Sequence, residues 1–330
     1  MNKDFSISVI IPVLNEEHHV SPCLDSILSQ TRRHIEVIVV DNGSTDGTAK
    51  IVERFSNRDA RVRLVKEDRK GVVYAKNRGI EEAGGDFIAF TDADCVAVVS
   101  WLGSLVRHFD ESKIASVRGP NVLPREDTNT GNIIKETFTF FLPFGRKHCD
   151  FGYSSRQVDF NPSCNVMYRK EAFRETGLFN PDMYPLEDED MAVRLRKTGF
   201  QILCDPDAIV YHYKKTEISD VFKLAYRFGK SRASFLKKGS ETGIFRWSAI
   251  AVSFNVIILA LICLLFFPKT VFVSLTLLSL MLALLIGMSL MIARKKRIMD
   301  FPVYFFFVLL VITGWNTGFI VKLFTPNRKS

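Results

Sequence analysis

The chain has 330 residues, of which 47% are hydrophobic and 24% are charged, and its formal net charge is +8. The charge is uneven: residues 1–213 hold 27 Lys/Arg and 32 Asp/Glu, whereas residues 214–330 hold 17 and 4. The positive excess lies beside long apolar runs, which indicates that it faces an anionic membrane surface. The net charge is therefore not a sign of nucleic-acid binding.

The first ninety residues alternate between short apolar runs and segments whose apolar residues have helical spacing. Fully apolar strands that alternate with helices are typical of a mostly parallel sheet with helices on both faces. In such α/β folds, ligands bind at the carboxyl ends of the strands. The predicted strands are 7–13, 35–40, 62–65 and 87–90, and the predicted helices lie near 20–28, 51–55 and 73–83.

Three polar clusters each follow one of these strands. They are PVLNEE at residues 12–17, DNGSTDG at 41–47 and DADC at 92–95. We expect them to meet at one edge of the sheet, where their carboxylates need a cation or hydrogen-bond donors to offset repulsion. A D-x-D motif at the end of a strand can hold Mg²⁺ or Mn²⁺ through oxygen, whereas the same motif in isolation is equally typical of a solvated turn.

A set of motifs occurs in a fixed order along residues 6–235. The set consists of VIIPVLNEE, VVDNGSTDGT, GVVYAKNRGI, FTDADC, NPSCNVMYRKEAF, LEDEDMAVRLRKTGF, IVYHYKKTE and YRFGKSRA. With these motifs the chain resembles the family 2 inverting glycosyltransferases, which have the Rossmann-like GT-A fold. The resemblance implies an enzyme of the hexosyltransferase type that uses a nucleotide-sugar donor and a divalent metal, Mg²⁺ or Mn²⁺.

The resemblance also implies roles for individual residues around the donor. Glu16 would lie near the ribose, Asp41 would accept a hydrogen bond from the base, and Asp94 would coordinate the metal on the diphosphate. Asp92 would meet the ribose or the metal, and Lys76, where the family more often has Arg, would supply positive charge. The implied donor-binding residues are Pro12, Leu14, Glu16, Asp41, Lys76, Asp92, Ala93 and Asp94.

The acidic run at residues 187–190 resembles the family's acidic motif at the start of a helix. By this resemblance Asp188 would be the general base that takes the proton of the acceptor hydroxyl, as an inverting transfer requires. Glu187 and Arg194 would lie on the acceptor or phosphate side. The helix macrodipole also favours acids at this position, but four in a row exceed what capping needs. His212 is a further candidate metal ligand, or alternatively a structural histidine at the end of a strand.

Three uncharged apolar runs near the C-terminus are each long enough to span a bilayer as a helix. They are residues 247–267, 271–293 and 303–321. Four consecutive cations at 294–297 indicate a cytoplasmic loop by the positive-inside rule. The preceding residues 214–246 carry nine Lys/Arg against three acids and predict a basic amphipathic segment on the membrane surface; an ordinary solvated linker is the alternative.

The predicted organisation is therefore a GT-A catalytic domain at 1–213, a juxtamembrane segment at 214–246 and a membrane part at 247–330. The N-terminus lacks an apolar run long enough for a signal peptide, so we expect a multi-pass protein of the cell membrane with a cytoplasmic catalytic domain.

The resemblance narrows the expected reaction. The QxxRW motif of processive synthases is absent, which indicates addition of one or a few sugars. We expect a lipid-linked acceptor in cell-surface glycan or exopolysaccharide synthesis, with a UDP-sugar favoured as donor by family habit. The alternatives are a polyprenyl-phosphate monosaccharide synthase, a catalytically silent membrane-anchored scaffold and a nucleotidyltransferase; the last is disfavoured because PVLNEE replaces a glycine-rich basic loop.

Overall fold

The computed structural model describes residues 5–122, 155–213, 218–237 and 301–325, together with residues 276, 279, 282–283 and 285–291. These residues belong to two compact units. The first unit contains the described residues up to 181 and those from 186 to 213. The second contains residues 182–185 and the described residues from 218 onward.

The first unit is built on the predicted alternation of strands and helices. Strands β1 (Ile7–Val13), β2 (Ile35–Asp41), β3 (Val62–Lys66) and β4 (Phe87–Thr91) pair in parallel in the order β3-β2-β1-β4. Each predicted strand is confirmed, with its ends within one residue of the prediction. The intervening helices are α1 (Val20–Leu28), α2 (Thr48–Ser56) and α3 (Val72–Glu82).

Seven further strands complete two sheets. They are β5 (Cys95–Ala97), β6 (Ile114–Arg118), β7 (Asn121–Val122), β8 (Arg156–Val158), β9 (Asn165–Arg169), β10 (Gln201–Cys204) and β11 (Val210–His212). The large sheet has the order β3-β2-β1-β4-β9-β6-β10-β8, and β9 runs antiparallel to both β4 and β6. A smaller sheet has the order β5-β11-β7. The fold is thus the predicted α/β class with a large, parallel-rich sheet.

Helices cover both faces of the large sheet. Because successive side chains of a strand point to opposite faces, Ile11 packs into one apolar core and Ile10 into the other. The first core also contains residues of α1, of α2 and of α4 (Trp101–Val106). The second contains residues of α3, of α5 (Lys170–Thr176) and of α6 (Glu187–Lys197).

The second unit contains two closely packed helices, α7 (Ile218–Lys237) and α8 (Phe301–Phe324). A Cβ atom added at Gly229 would lie 1.9 Å from the Trp315 carbonyl oxygen, and one at Gly318 would lie 1.9 Å from the Tyr226 carbonyl oxygen. Only glycine permits this approach of two helix backbones, a packing mode typical of apolar helix pairs. To one side of this contact, α7 exposes Lys223, Arg227 and Lys230.

One helix of the described residues, α8, is long and apolar enough to cross a membrane. It contains the whole of the predicted span 303–321. The predicted span 247–267 lies outside the described residues, and so does most of 271–293. The three-span arrangement and the juxtamembrane segment at 214–246, which includes α7, therefore stay predictions.

Candidate active site

The polar clusters predicted to converge lie at one edge of the large sheet. In β1, Pro12 pairs with Val40, and Val13 pairs with Asp41 at the end of β2. Strand β4 borders β1 on its other side, so Asp92 and the residues that follow it leave the sheet at the same edge. The sheet order thus brings together segments separated by up to about 80 positions, because parallel neighbours end side by side.

Two carboxylates are held firmly at this edge. Asp41 is 6% exposed, and its Oδ1 accepts a hydrogen bond of 3.0 Å from the Ser44 backbone N–H. Glu16 donates its backbone N–H to Thr48 Oγ1 at 2.8 Å, and its carboxylate contacts His19 Nδ1 at 2.9 Å. The Asp41 carboxylate is therefore oriented by the turn that follows its own strand, and the Glu16 carboxylate by His19 just before α1.

The aspartates of the D-x-D motif also affect the pKa of Glu16. Burial raises the pKa of Glu16 above its ordinary value, the contact with His19 opposes that rise, and the charges of Asp94 and Asp92 add to it. These three predicted donor-side acids thus lie close enough to influence one another electrostatically. Beside them, Ala93 is buried and Leu14 exposes 52% of its surface, an apolar side chain open to a ligand.

A cluster of metal-ligand atoms forms where β5 and β11 pair. His212 Nε2 lies 3.1 Å from Asp94 Oδ1, and the register places His212 directly opposite Cys95. One ligand atom from each of these three residues lies within 4.8 Å of the others. A carboxylate oxygen and an imidazole nitrogen this close fit a divalent cation. Asp92 lies outside this cluster of described residues, and its proposed role at the metal stays a prediction.

The surroundings of His212 raise its pKa and so favour the protonated imidazole in the absence of metal. Burial by itself lowers the pKa of His212, but hydrogen bonds with Asp94 and Cys164 outweigh it and raise the value from 6.5 to about 11. A protonated imidazole at this position would place a positive charge 3.1 Å from Asp94 Oδ1. A divalent ion that uses Nε2 must displace this proton.

We predict that Mn²⁺ binding at pH 8 releases about one proton, because the imidazole must become neutral to act as a ligand. Titration calorimetry in two buffers of different ionisation enthalpy measures the number of protons released. In a His212→Asn variant the release should disappear. A binding heat that is the same in both buffers would contradict the prediction.

The acids at the start of α6 surround a buried lysine from α3. Lys76 Nζ lies 2.7 Å from Glu187 Oε1 and 3.2 Å from Asp188 Oδ1, and the lysine side chain is 3% exposed. The second oxygen of Asp188 accepts a hydrogen bond of 2.9 Å from the Ser163 backbone N–H. Asp188 is therefore oriented from both sides, and Lys76 supplies its positive charge to these acids.

Glu187 is the more buried of the two acids. Burial raises the pKa of Glu187, and the positive charge of Lys76 opposes that rise. Among the described residues, Glu187 Oε2 has no hydrogen-bond partner. One lysine thus compensates two carboxylates in a region from which most water is excluded.

We predict that Lys76→Met lowers the free energy of unfolding by about 3–5 kcal/mol, the usual cost of leaving buried charges without their partner. Urea unfolding of the full chain in detergent, followed by tryptophan fluorescence to which the buried Trp101 contributes, measures the change. Lys50→Met, at an exposed position on α2, is the matched control. Equal stability of the two variants would show that Lys76 does not compensate the acids.

Arg194 lies on α6 and holds the turn that follows α5. Its guanidinium pairs with Asp190 at 2.8 Å and donates to the carbonyl oxygens of Thr176 and Leu178, the latter at 3.0 Å. These contacts give Arg194 a structural role, because it joins α6 to the turn after α5. Its role on the acceptor or phosphate side, like that of Glu187, stays a prediction.

Two residues of the site were not singled out from the sequence. Ser163 orients Asp188 through its backbone N–H, and Cys164 contacts His212. Both lie in the NPSCN segment, which follows no predicted strand or helix and contains no charged residue. Almost any residue can donate a backbone N–H, so residue type does not reveal such a donor. Only the position of this segment in one of the family-like motifs could have indicated that it belongs to the site.

Comparison with known proteins identifies relatives of this chain. Residues 8–177 match the family described as Glycosyl transferase family 2. Glycosyltransferase AglE of Haloferax volcanii is 29% identical over 238 residues, which cover 68% of this chain and 72% of that protein. A Methanococcus voltae protein named dolichyl N-acetyl-alpha-D-glucosaminyl phosphate 3-beta-D-2,3-diacetamido-2,3-dideoxy-beta-D-glucuronosyltransferase is 24% identical, covering 71% of this chain and 74% of its own length.

A solved structure has the same fold. Mannosyltransferase PcManGT from Pyrobaculum calidifontis, in complex with GDP-Man and Mn²⁺, superposes with a TM-score of 0.64 at 19% identity. The match covers 98% of this chain and 88% of that one.

Proposed function

Since this chain belongs to glycosyl transferase family 2 and is a glycosyltransferase, we propose that it transfers a sugar from a nucleotide-diphosphate sugar to an acceptor hydroxyl with inversion at the anomeric carbon. One observation carries the proposal. The acids predicted to bind the donor lie at the sheet edge near the Asp94–His212 pair, while Asp188 is separately oriented by Lys76 and Ser163. An inverting transfer needs both parts: a group of residues that binds the donor and its metal, and a separate carboxylate that accepts the proton of the acceptor.

In the proposed step, the acceptor hydroxyl oxygen forms a bond to the anomeric carbon as the bond between that carbon and the diphosphate oxygen breaks. The hydroxyl proton passes to the Asp188 carboxylate. Lys76 and the Ser163 N–H hold that carboxylate in place, so that the base is already oriented when donor and acceptor bind. A divalent metal bound by Asp94 and His212 would neutralise charge on the leaving diphosphate.

The donor would lie along the edge formed by β1, β2 and β4. We assign the base to Asp41, the ribose to Glu16 and apolar contact with the nucleoside to Leu14 and Pro12. The exposed side chain of Leu14 beside the oriented carboxylate of Asp41 supports this assignment. A UDP-sugar is the favoured donor, and the GDP-Man in the similar mannosyltransferase makes GDP-sugars the first comparison.

We further propose that the acceptor is lipid-linked and that transfer takes place at the cytoplasmic face of the membrane, in the synthesis of cell-surface glycan or exopolysaccharide. The apolar helix α8, the exposed cations of α7 and the dolichyl-phosphate sugar in the name of the Methanococcus voltae relative support this proposal. Anionic headgroups attract such cations, and an acceptor in the same leaflet would need no release into water.

The test is to incubate membranes that contain the protein with radiolabelled UDP- and GDP-sugars and to extract the product into organic solvent. We expect labelled lipid in which the sugar is attached to an existing glycan. Label attached directly to a lipid phosphate would instead identify a polyprenyl-phosphate monosaccharide synthase. Label found only in water-soluble product would exclude a lipid acceptor, and no transfer from any donor would favour a silent scaffold.

A further inference from the structure

We propose that Cys95 and Cys164, together with Asp94 and His212, form a binding site for a thiophilic divalent cation of the Zn²⁺ class. The site shares two residues with the metal position of the proposed function, but it requires neither a sugar donor nor transfer. Its consequence is that Zn²⁺ competes with the metal that serves the donor.

The pairing of β5 with β11 brings three of the ligands together. Cys95 and His212 are directly opposite residues of an antiparallel pair, so their side chains lie on the same face of the small sheet. Asp94 precedes Cys95, and its carbonyl oxygen accepts the Tyr213 N–H at 2.8 Å, which fixes the start of the strand. The ligand positions are thus set by backbone pairing.

The fourth ligand comes from a distant part of the chain. The thiol of Cys164 lies in hydrogen-bonding contact with the imidazole of His212, and Asn121 Nδ2 donates to Cys164 Sγ at 2.9 Å. Cys95 and Cys164 are both free thiols. Asp94, Cys95 and His212 form the cluster whose ligand atoms lie within 4.8 Å of one another, and Cys164 lies outside it next to His212, so its thiol would have to move closer to become the fourth ligand.

The distances in this cluster suit a small tetrahedral ion. Zinc bonds of about 2.0–2.3 Å in a tetrahedron place neighbouring ligand atoms about 3.3–3.8 Å apart. Asp94 Oδ1 lies 3.1 Å from His212 Nε2 and 3.8 Å from Cys95 Sγ. Side-chain shifts of a few tenths of an ångström would bring these two contacts to zinc geometry, and the Cys164 thiol would have to move farther because it lies outside the group of ligand atoms within 4.8 Å of one another.

The ligand types decide which ion this site prefers. Thiolate sulfur and imidazole nitrogen select Zn²⁺ over Mg²⁺ and Mn²⁺, which favour oxygen ligands. A donor metal needs only Asp94 and His212 from this cluster, whereas a thiophilic ion also gains two sulfur bonds. Bound Zn²⁺ would occupy both shared ligands, so we infer that it inhibits the use of Mn²⁺ at the same position.

The test uses Co²⁺ as a spectroscopic substitute for Zn²⁺ in the full chain, purified in detergent, stripped of metal and kept reduced. We expect a thiolate-to-cobalt charge-transfer band in the near ultraviolet, which added Zn²⁺ removes. Cys95→Ser and Cys164→Ser should each weaken the band and lower Zn²⁺ affinity, measured by chelator competition, at least about tenfold. Mn²⁺ affinity should change little in both variants.

Cys23→Ser is the matched control, because Cys23 is a buried free thiol of the same region that donates to the Asp92 carbonyl at 3.4 Å and lies outside the cluster. It should keep the cobalt band. Cobalt binding without a thiolate band, or wild-type Zn²⁺ affinity in both cluster variants, would overturn the inference. Cys164→Ser, at a partly exposed position, keeps the test decisive if Cys95→Ser does not fold.

The result is also independent of the proposed function. A thiolate band in a protein that transfers no sugar would support this site and contradict the proposed function. Mn²⁺-dependent transfer by a protein without the band would support the proposed function and contradict this site.

Discussion

Asp188→Asn is expected to lower kcat for sugar transfer by about 10²–10⁴-fold, the usual contribution of a general base. The amide keeps the size of the side chain and can still accept the Ser163 N–H, so the geometry of α6 should persist. It cannot take a proton from the acceptor. Donor affinity should change little, because Asp188 is not assigned to the donor.

Steady-state kinetics with the radiolabelled donor measures kcat, and titration calorimetry measures donor affinity. Asp190→Asn removes an acid from the same first turn of α6 and controls for the loss of helix-terminal charge. It should keep most of the activity. Full activity of Asp188→Asn would show that another group accepts the proton.

Asp94→Ala is expected to weaken Mn²⁺-dependent donor binding by at least about tenfold, because the metal loses a carboxylate ligand and His212 loses its partner. Donor binding in the absence of metal should be nearly the same in both proteins. The variant thus separates the metal contribution from the direct contacts of the nucleotide.

Thermal shift of the full chain with nucleotide sugars, with and without Mn²⁺, is a direct measurement, since a bound donor stabilises the folded state by mass action. The wild-type protein should show an additional shift with Mn²⁺, and Asp94→Ala should lose it. Asp110→Ala, an exposed acid after α4, should behave as wild type. An unchanged Mn²⁺-dependent shift in Asp94→Ala would place the metal elsewhere.

Much of the N-terminal fold was predictable because its information is local. The run at 7–13 is apolar at nearly every position, as a strand covered on both faces must be, and the structure confirms it as β1. The same holds for the segments that became β2, β3 and β4. The positions of Asp41 and Asp92 followed from this pattern, because parallel strands in one sheet end at the same edge.

The remaining strands could not be placed in this way. Strand β9 inserts antiparallel beside β4, although some 75 residues separate them, and the three residues of β11 are too short for a periodic signal. The local sequence therefore could not predict the register that sets His212 opposite Cys95. It depends on the path of the whole chain between the two strands.

The sequence alone determined the α/β class, the edge at which the acids gather, the helix that begins at Glu187 and the long apolar helix near the C-terminus. Each follows from the spacing of side chains over a few residues. Only the tertiary structure decided that Lys76 compensates Glu187 and Asp188, and that two thiols lie beside the Asp94–His212 pair. Such partners are distant along the chain, and burial and strand register, rather than residue type, bring them into contact.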